Sequence, residues 1–345
     1  MNVNVSWKLT PKPGHQIYLD DLRVMATVFV IGVHTVSLAA SMVTEGSISY
    51  HILECFDYLF LSCNLLFVMI SGALLLSVRG EKTTVFFRKR FGKVIIPFLV
   101  YYILYICAKE GIEWIYPSHW FPLLQRIISG APVEAPHFWL IYFILFLYVL
   151  TPALRWFLAH IPDSVLSGFL AVLFVLCTID TYAPLFGMPA PFRWYTDTYI
   201  GTFLLGYYLS AKCSRQMEQI FLAGGMVSFL ISCFWIVTRN DYKDYIYQNA
   251  PTMMLFAAML FLLVKRKAAG KTEELYLVSL ISRHSYSILL IHWGILHFVV
   301  KQVLHVNVLG GGIVGGCILM LVLTLVLSTI AAWILDKTLL KWLMV

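Results

Sequence analysis

Arg23 and His34 are the residues whose types and spacing most suggest chemistry. They lie in an apolar run entered through Leu19-Asp20-Asp21-Leu22 and continuing past Thr35. Ionisable groups inside such a run are costly in lipid, so each needs a reason. Eleven helical steps of ~100° come within roughly 20° of three full turns, which places both side chains on one face, about 16 Å apart along the axis. A guanidinium at the mouth of a helix holds phosphate through a fork of donors. An imidazole, which titrates near neutrality, accepts a proton from an incoming hydroxyl. The spacing suits a long anionic donor such as coenzyme A, whose phosphorylated head leads through an extended arm to a thioester. The plainer alternative is a topological arginine and a histidine hydrogen-bonded within a helix bundle.

Further polar residues fall in or beside other apolar runs. Glu54 and Asp57 share a face at the start of the second run, suited either to interfacial solvation or to orienting His34 and contacting an acceptor. Phe67 to Gly72 contains Ser71 beside a glycine, which allows close approach of a helix or a ligand. Arg88, Lys89, Arg90 and Lys93 form the densest cationic cluster, readable as topology plus anionic lipid or as phosphate contacts beside Arg23. Pro136-His137-Phe138-Trp139 opens one run, and Ser285-Tyr286-Ser287 leads into another that contains His292, about 10 Å deep from Ser285. Segments 109–137 and 183–197 are rich in aromatics and proline, including Trp194 and Tyr195. These read either as an interfacial aromatic belt or as a platform for stacking sugar rings.

The elements that must position these groups are membrane helices. The 345 residues are 60% hydrophobic and only 12% charged, with a mean hydropathy of +0.81. Soluble domains carry roughly a quarter charged residues. Apolar runs without period-two alternation exclude a membrane β-barrel. Spans are expected at 22–40, 52–78, 92–108, 138–155, 164–182, 198–211, 219–238, 249–265, 285–304 and 311–335. If the N-terminus is cytoplasmic, lysines and arginines favour the inner segments by about three to one, which predicts that both termini are cytoplasmic. The net charge of +7 therefore reflects topology and not nucleic-acid binding. The cysteines form no CxxC pair and read as small buried residues. The expected fold class is all-α: a cytoplasmic segment over 1–18 and a membrane domain of about ten helices over 19–345.

These residues together resemble the acyltransferase-3 family of integral membrane acyltransferases. The resemblance rests on Asp20-Asp21-Leu22-Arg23 with His34, on Phe67, Ser71 and Gly72, and on the basic approach from Arg88 to Pro97. It continues through His137 and Trp139, Gly206-Tyr207-Tyr208, and Ser285-Tyr286 with His292. It spans nearly the whole chain and is closest to the surface-polysaccharide O-acetyltransferase branch. Where some members carry a second arginine pair, this chain has Arg90 and Lys93, and lysine gives no bidentate clamp.

The resemblance implies an enzyme of the bacterial cytoplasmic membrane that moves an acetyl group from acetyl-CoA to a hydroxyl of a surface glycan or lipid-linked sugar. It implies no metal. His34 is the expected base, and Arg23, Arg88, Arg90 and Lys93 the expected donor contacts. Asp57, Ser71, His137, Trp139, Trp194, Tyr195 and His292 are the expected acceptor contacts. The alternatives are another acyl group such as succinyl, a lipid or small-molecule acceptor, or a transporter or flippase. The last would be expected to show inverted repeats, and none is visible.

Overall fold

A computed structural model describes residues 7–12, 14–77 and 80–338, apart from the side chains of Phe91 and Trp194. Helices α1 (Ile17–Ala40), α2 (Ile48–Leu76) and α3 (Thr83–Glu110) are followed by a ten-residue helix, α4 (Trp120–Ser129). Next come α5 (Pro136–His160), α6 (Asp163–Phe186), α7 (Ile200–Ala211) and α8 (Arg215–Thr238). The chain ends in α9 (Pro251–Lys267), α10 (Tyr276–Val303) and α11 (Ile313–Lys337). A two-residue antiparallel pairing joins β1 (Lys8–Leu9) to β2 (Glu274–Leu275).

Among the described residues, eight helices are long and apolar enough to cross a membrane: α1, α2, α3, α5, α6, α8, α10 and α11. The chain is thus an all-α polytopic membrane bundle. The other two expected spans form shorter helices. The run at 198–211 becomes the 12-residue α7, because Tyr199 takes a left-handed conformation (φ 58°) and the helix starts only after it. At ~1.5 Å per residue, α7 is about 18 Å long, well short of a ~30 Å hydrocarbon core. The run at 249–265 becomes the 17-residue α9, which starts at Pro251 and is largely buried. Helices that are apolar on every side belong inside a bundle, and residues 201–209 of α7 are all buried.

The chain divides into two compact units. The first comprises residues Met1–Arg79 and Ala153–Ser285. Within it α1 packs on α2, α2 on α7, and α8 on α9. The contact of α2 with α7 is a crossing of backbones. A Cβ at Gly72 would lie 1.9 Å from the Phe203 carbonyl oxygen, and one at Gly206 would lie 2.1 Å from that of Met69. Exposed Met226, Leu230 and Phe234 give α8 a lipid-facing side.

The second unit comprises Gly80–Pro152 and Tyr286–Val345. Its core is aromatic: Phe98, Tyr101, Tyr102 and Tyr105 of α3 pack with Phe138 and Ile141 of α5 and with Leu290 of α10. The helical ladder widens to π geometry at Phe91–Ile95 in α3 and at Ile295–Val303 in α10. Such departures from α geometry are frequent at functional sites.

Candidate active site

Three clusters of polar side chains contain or adjoin the residues singled out in the sequence. The first is built on α1. This helix is unbroken from Ile17 to Ala40, so Arg23 and His34 keep the common face and the ~16 Å separation read from their spacing. Arg23 is not a lone cation. Its Nη1 donates to Asp20 Oδ1 at 2.6 Å and faces Ser282 Oγ of α10 at 3.4 Å. Asp20 is 5% exposed and also accepts from the Ser282 hydroxyl and bonds His15 Nε2. A buried carboxylate needs such partners, and here they fix the guanidinium one turn away. The sequence marked Asp20 only as part of a motif; its role as a hub depends on residues far along the chain.

The same end of the unit carries a cavity of about 510 Å³ lined by His15, Tyr18, Lys265, Arg266, Lys271 and Glu218, among others. Lys271 pairs with Asp21 at 2.8 Å and Arg266 with Glu218 at 2.9 Å. Lys265 caps α7 by donating to the carbonyls of Leu209 (2.7 Å) and Ser210 (2.9 Å). Bases outnumber acids in the lining, which suits an anion. The ligand atoms of His15, Asp20 and Glu274 lie within 4.8 Å of one another, close enough to bind a metal. Asp20 already serves Arg23, Ser282 and His15 there. Burial and the nearby Asp20 charge raise the pKa of the Glu274 carboxyl.

The second cluster lies where α1 ends and α2 begins. Glu54 and Asp57 are 5% and 6% exposed, buried rather than solvated at an interface. Ser37, one turn beyond His34, donates to Asp57 Oδ1 at 2.8 Å. The Tyr247 hydroxyl bonds both Glu54 Oε2 and Asp57 Oδ2 at 3.1 Å. Tyr242 donates to Glu54 as well, and Lys243 approaches it at 3.2 Å. Burial, followed by the acidic charges, raises the pKa of both tyrosines. They therefore stay protonated, and each hydroxyl has one proton to donate into the acidic pair. The half-buried His34 stands one turn from this network.

Two other expected contacts of this unit have structural surroundings. Ser71 adjoins the Gly72 crossing. The hydroxyl of Tyr195 lies against Gly201, where an added Cβ would come within 2.9 Å of it. The Trp194 side chain lies outside the described residues.

The third cluster belongs to the second unit. His137 and His292 are 6% and 0% exposed, with ring centroids 4.8 Å apart. Their placement follows from Tyr105. The Gly294 amide donates to the Tyr105 hydroxyl at 2.8 Å, and that hydroxyl donates to the Leu290 carbonyl at 3.1 Å. One side chain is thus inserted into the ladder of α10 immediately before it widens, a recognised cause of helix distortion. The Leu290 carbonyl also accepts from His137 Nε2 at 3.3 Å, while His292 Nδ1 donates to Leu289 O at 2.8 Å. In the neutral rings, His137 Nδ1 and His292 Nε2 are left as the basic nitrogens. Trp293 tilts over His137 at 6.0 Å, and Trp139 packs edge-on against Phe143 at 5.7 Å. Of the expected donor contacts here, Arg90 lies over the Phe86 ring at 5.6 Å, whereas Arg88 and Lys93 are exposed. Tyr105 carries no motif signal, and only the fold reveals it.

A comparison with protein-family models matches residues 16–337 to the acyltransferase-3 family, described as an acyltransferase domain. The chain belongs to this family. The match begins one residue before α1 and ends with α11, so all three clusters, apart from His15, lie within the matched acyltransferase domain. Comparison with curated proteins and with solved structures gives no match.

Proposed function

We propose that this acyltransferase moves an acetyl group from cytoplasmic acetyl-CoA to a hydroxyl of an extracytoplasmic surface glycan. The observation that carries the reading is the unbroken α1, which holds Arg23 and His34 on one face about 16 Å apart. The basic cavity at the Arg23 end supports an anionic donor there, and the buried polar network beyond His34 supports a hydroxylated acceptor at the other end. Both termini are cytoplasmic in this proposal, and α7 and α9 complete ten membrane segments in a bacterial cytoplasmic membrane. His34 takes the proton of the acceptor hydroxyl as its oxygen attacks the thioester carbonyl. The carbon–sulfur bond breaks, the proton passes to the sulfur, and CoA leaves as the thiol.

Arg23 anchors the donor phosphates, with Arg88, Arg90 and Lys93 as further contacts. Asp57, Ser71, His137, Trp139, Trp194, Tyr195 and His292 serve the acceptor side. Succinyl transfer, or a lipid or small-molecule acceptor, would use the same chemistry. The test is mass spectrometry of surface glycans from cells with and without the protein. Loss of acetyl esters on deletion is expected; identical glycans, with no transfer of label from acetyl-CoA by the purified protein, would sink the reading.

Donor binding is separately measurable. A charge-assisted hydrogen bond is worth ~1.5–3 kcal/mol. Arg23→Ala should therefore weaken CoA binding by about 10- to 100-fold. Arg23→Lys should weaken it less, because one ammonium restores the charge but not the fork. Calorimetric titration with CoA that gives the wild-type affinity for both variants removes Arg23 from the donor site.

A further inference from the structure

We infer that a cavity lined by residues within 177–197 and 243–250 of the first unit is the acceptor subsite and that it selects an uncharged, polyhydroxylated sugar. Its role as an acceptor subsite rests on the proposed acyl transfer; its affinity for sugar does not. The cavity measures about 360 Å³, at the lower end of the ~300–1,000 Å³ typical of small-molecule sites. Its walls include Arg193, Asp197, Asp244, Tyr247 and Gln248.

The frame of this cavity is fixed in advance. Asp180, near the end of α6 and 6% exposed, accepts from the Phe192 amide at 2.8 Å and from the Thr196 hydroxyl at 2.7 Å. Asn249 donates to the Thr196 carbonyl at 2.8 Å and accepts from Thr202 of α7 at 2.6 Å. Gln248, between this frame and Tyr247, has a φ of 55°. A non-glycine residue in the left-handed region is strained, and such strain clusters at ligand sites. Glycine would be comfortable there but supplies no side-chain amide.

Charge selects the class of ligand. The acids Asp180, Asp197 and Asp244 line the cavity against the bases Arg193 and Lys243. Arg193 lies 3.8 Å from Asp197, and Lys243 is 3.2 Å from the buried Glu54. Both bases therefore already face a carboxylate, and a carboxylate or phosphate ligand would meet excess negative charge. Hydroxyl groups, which donate and accept, match a lining of carboxylates, amides and a tyrosine. Tyr247 also joins the cavity to the transfer chemistry. Its hydroxyl bonds Asp57, Asp57 accepts from Ser37, and Ser37 lies one turn from His34.

The test uses the full chain in lipid nanodiscs and an array of neutral hexose and N-acetylhexosamine oligosaccharides beside uronate- and phosphate-bearing ones. Binding of neutral members, with anionic ones at least tenfold weaker, is expected. Gln248→Gly removes the amide while relieving the backbone, and Ala190→Trp fills the cavity; each should weaken neutral-sugar binding about tenfold or more and leave CoA affinity unchanged. Preferential binding of anionic sugars, unaltered neutral-sugar binding in both variants, or no sugar binding by a wild-type protein that binds acetyl-CoA would each overturn the assignment. Sugar binding that follows this pattern in a protein unable to bind acetyl-CoA would sink the proposed transfer and uphold the sugar site.

Discussion

His34→Ala is expected to retain acetyl-CoA binding and lose acyl transfer by a factor of about 10² to 10⁴, the usual contribution of a positioned base. The expectation follows from α1, where the distance to Arg23 leaves the donor's phosphate anchorage intact when the imidazole is removed. His34→Gln is the sharper variant. An amide can donate and accept hydrogen bonds, but it cannot hold the hydroxyl proton near neutral pH. A base is therefore lost in both variants, whereas a packing residue that only needs a polar tip is rescued by glutamine. Transfer of label from acetyl-CoA, measured beside CoA affinity on folded protein, separates the two. A folded His34→Ala protein that acylates its acceptor at near the wild-type rate would end the case for His34 as base.

The pairing of Arg23 with His34 was legible in the sequence because it is local: one continuous helix and a fixed rise per residue determine it. The eight longest spans were legible for the same reason, since hydropathy reports composition over a window. Hydropathy does not report where a helix must start. Tyr199 and Pro251 set the starts of α7 and α9, so two apolar runs that read as crossings became helices of 12 and 17 residues. The polar networks were least legible. Tyr242 reaches Glu54 across 188 positions, Ser282 reaches Asp20 across 262, and Tyr105 reaches Leu290 across 185. No spacing rule connects such pairs. The carboxylates could be named from sequence, but their burial and their partners depend on packing.

Gly72→Ala is expected to unfold the first unit rather than to weaken a ligand. The Ser71-Gly72 and Gly206-Tyr207-Tyr208 motifs, which appeared separate in the sequence, meet at one crossing of α2 with α7. A new methyl at Gly72 would meet the Phe203 carbonyl at 1.9 Å, a contact with backbone that no side-chain rotation relieves. Overpacking ordinarily costs ~1–3 kcal/mol, and a clash with backbone belongs at or above the top of that range. Because α7 is buried on every side, displacing it disturbs its packing with α9 and α6 as well as with α2. Gly206→Ala should act alike, since its methyl would meet the Met69 carbonyl at 2.1 Å. Thermal unfolding in detergent should show both variants melting well below wild type, whereas Ser71→Ala, which keeps the crossing, should melt near it. If Gly72→Ala instead melts like wild type and loses only acceptor affinity, the glycine faces a ligand, and the crossing is not what requires it.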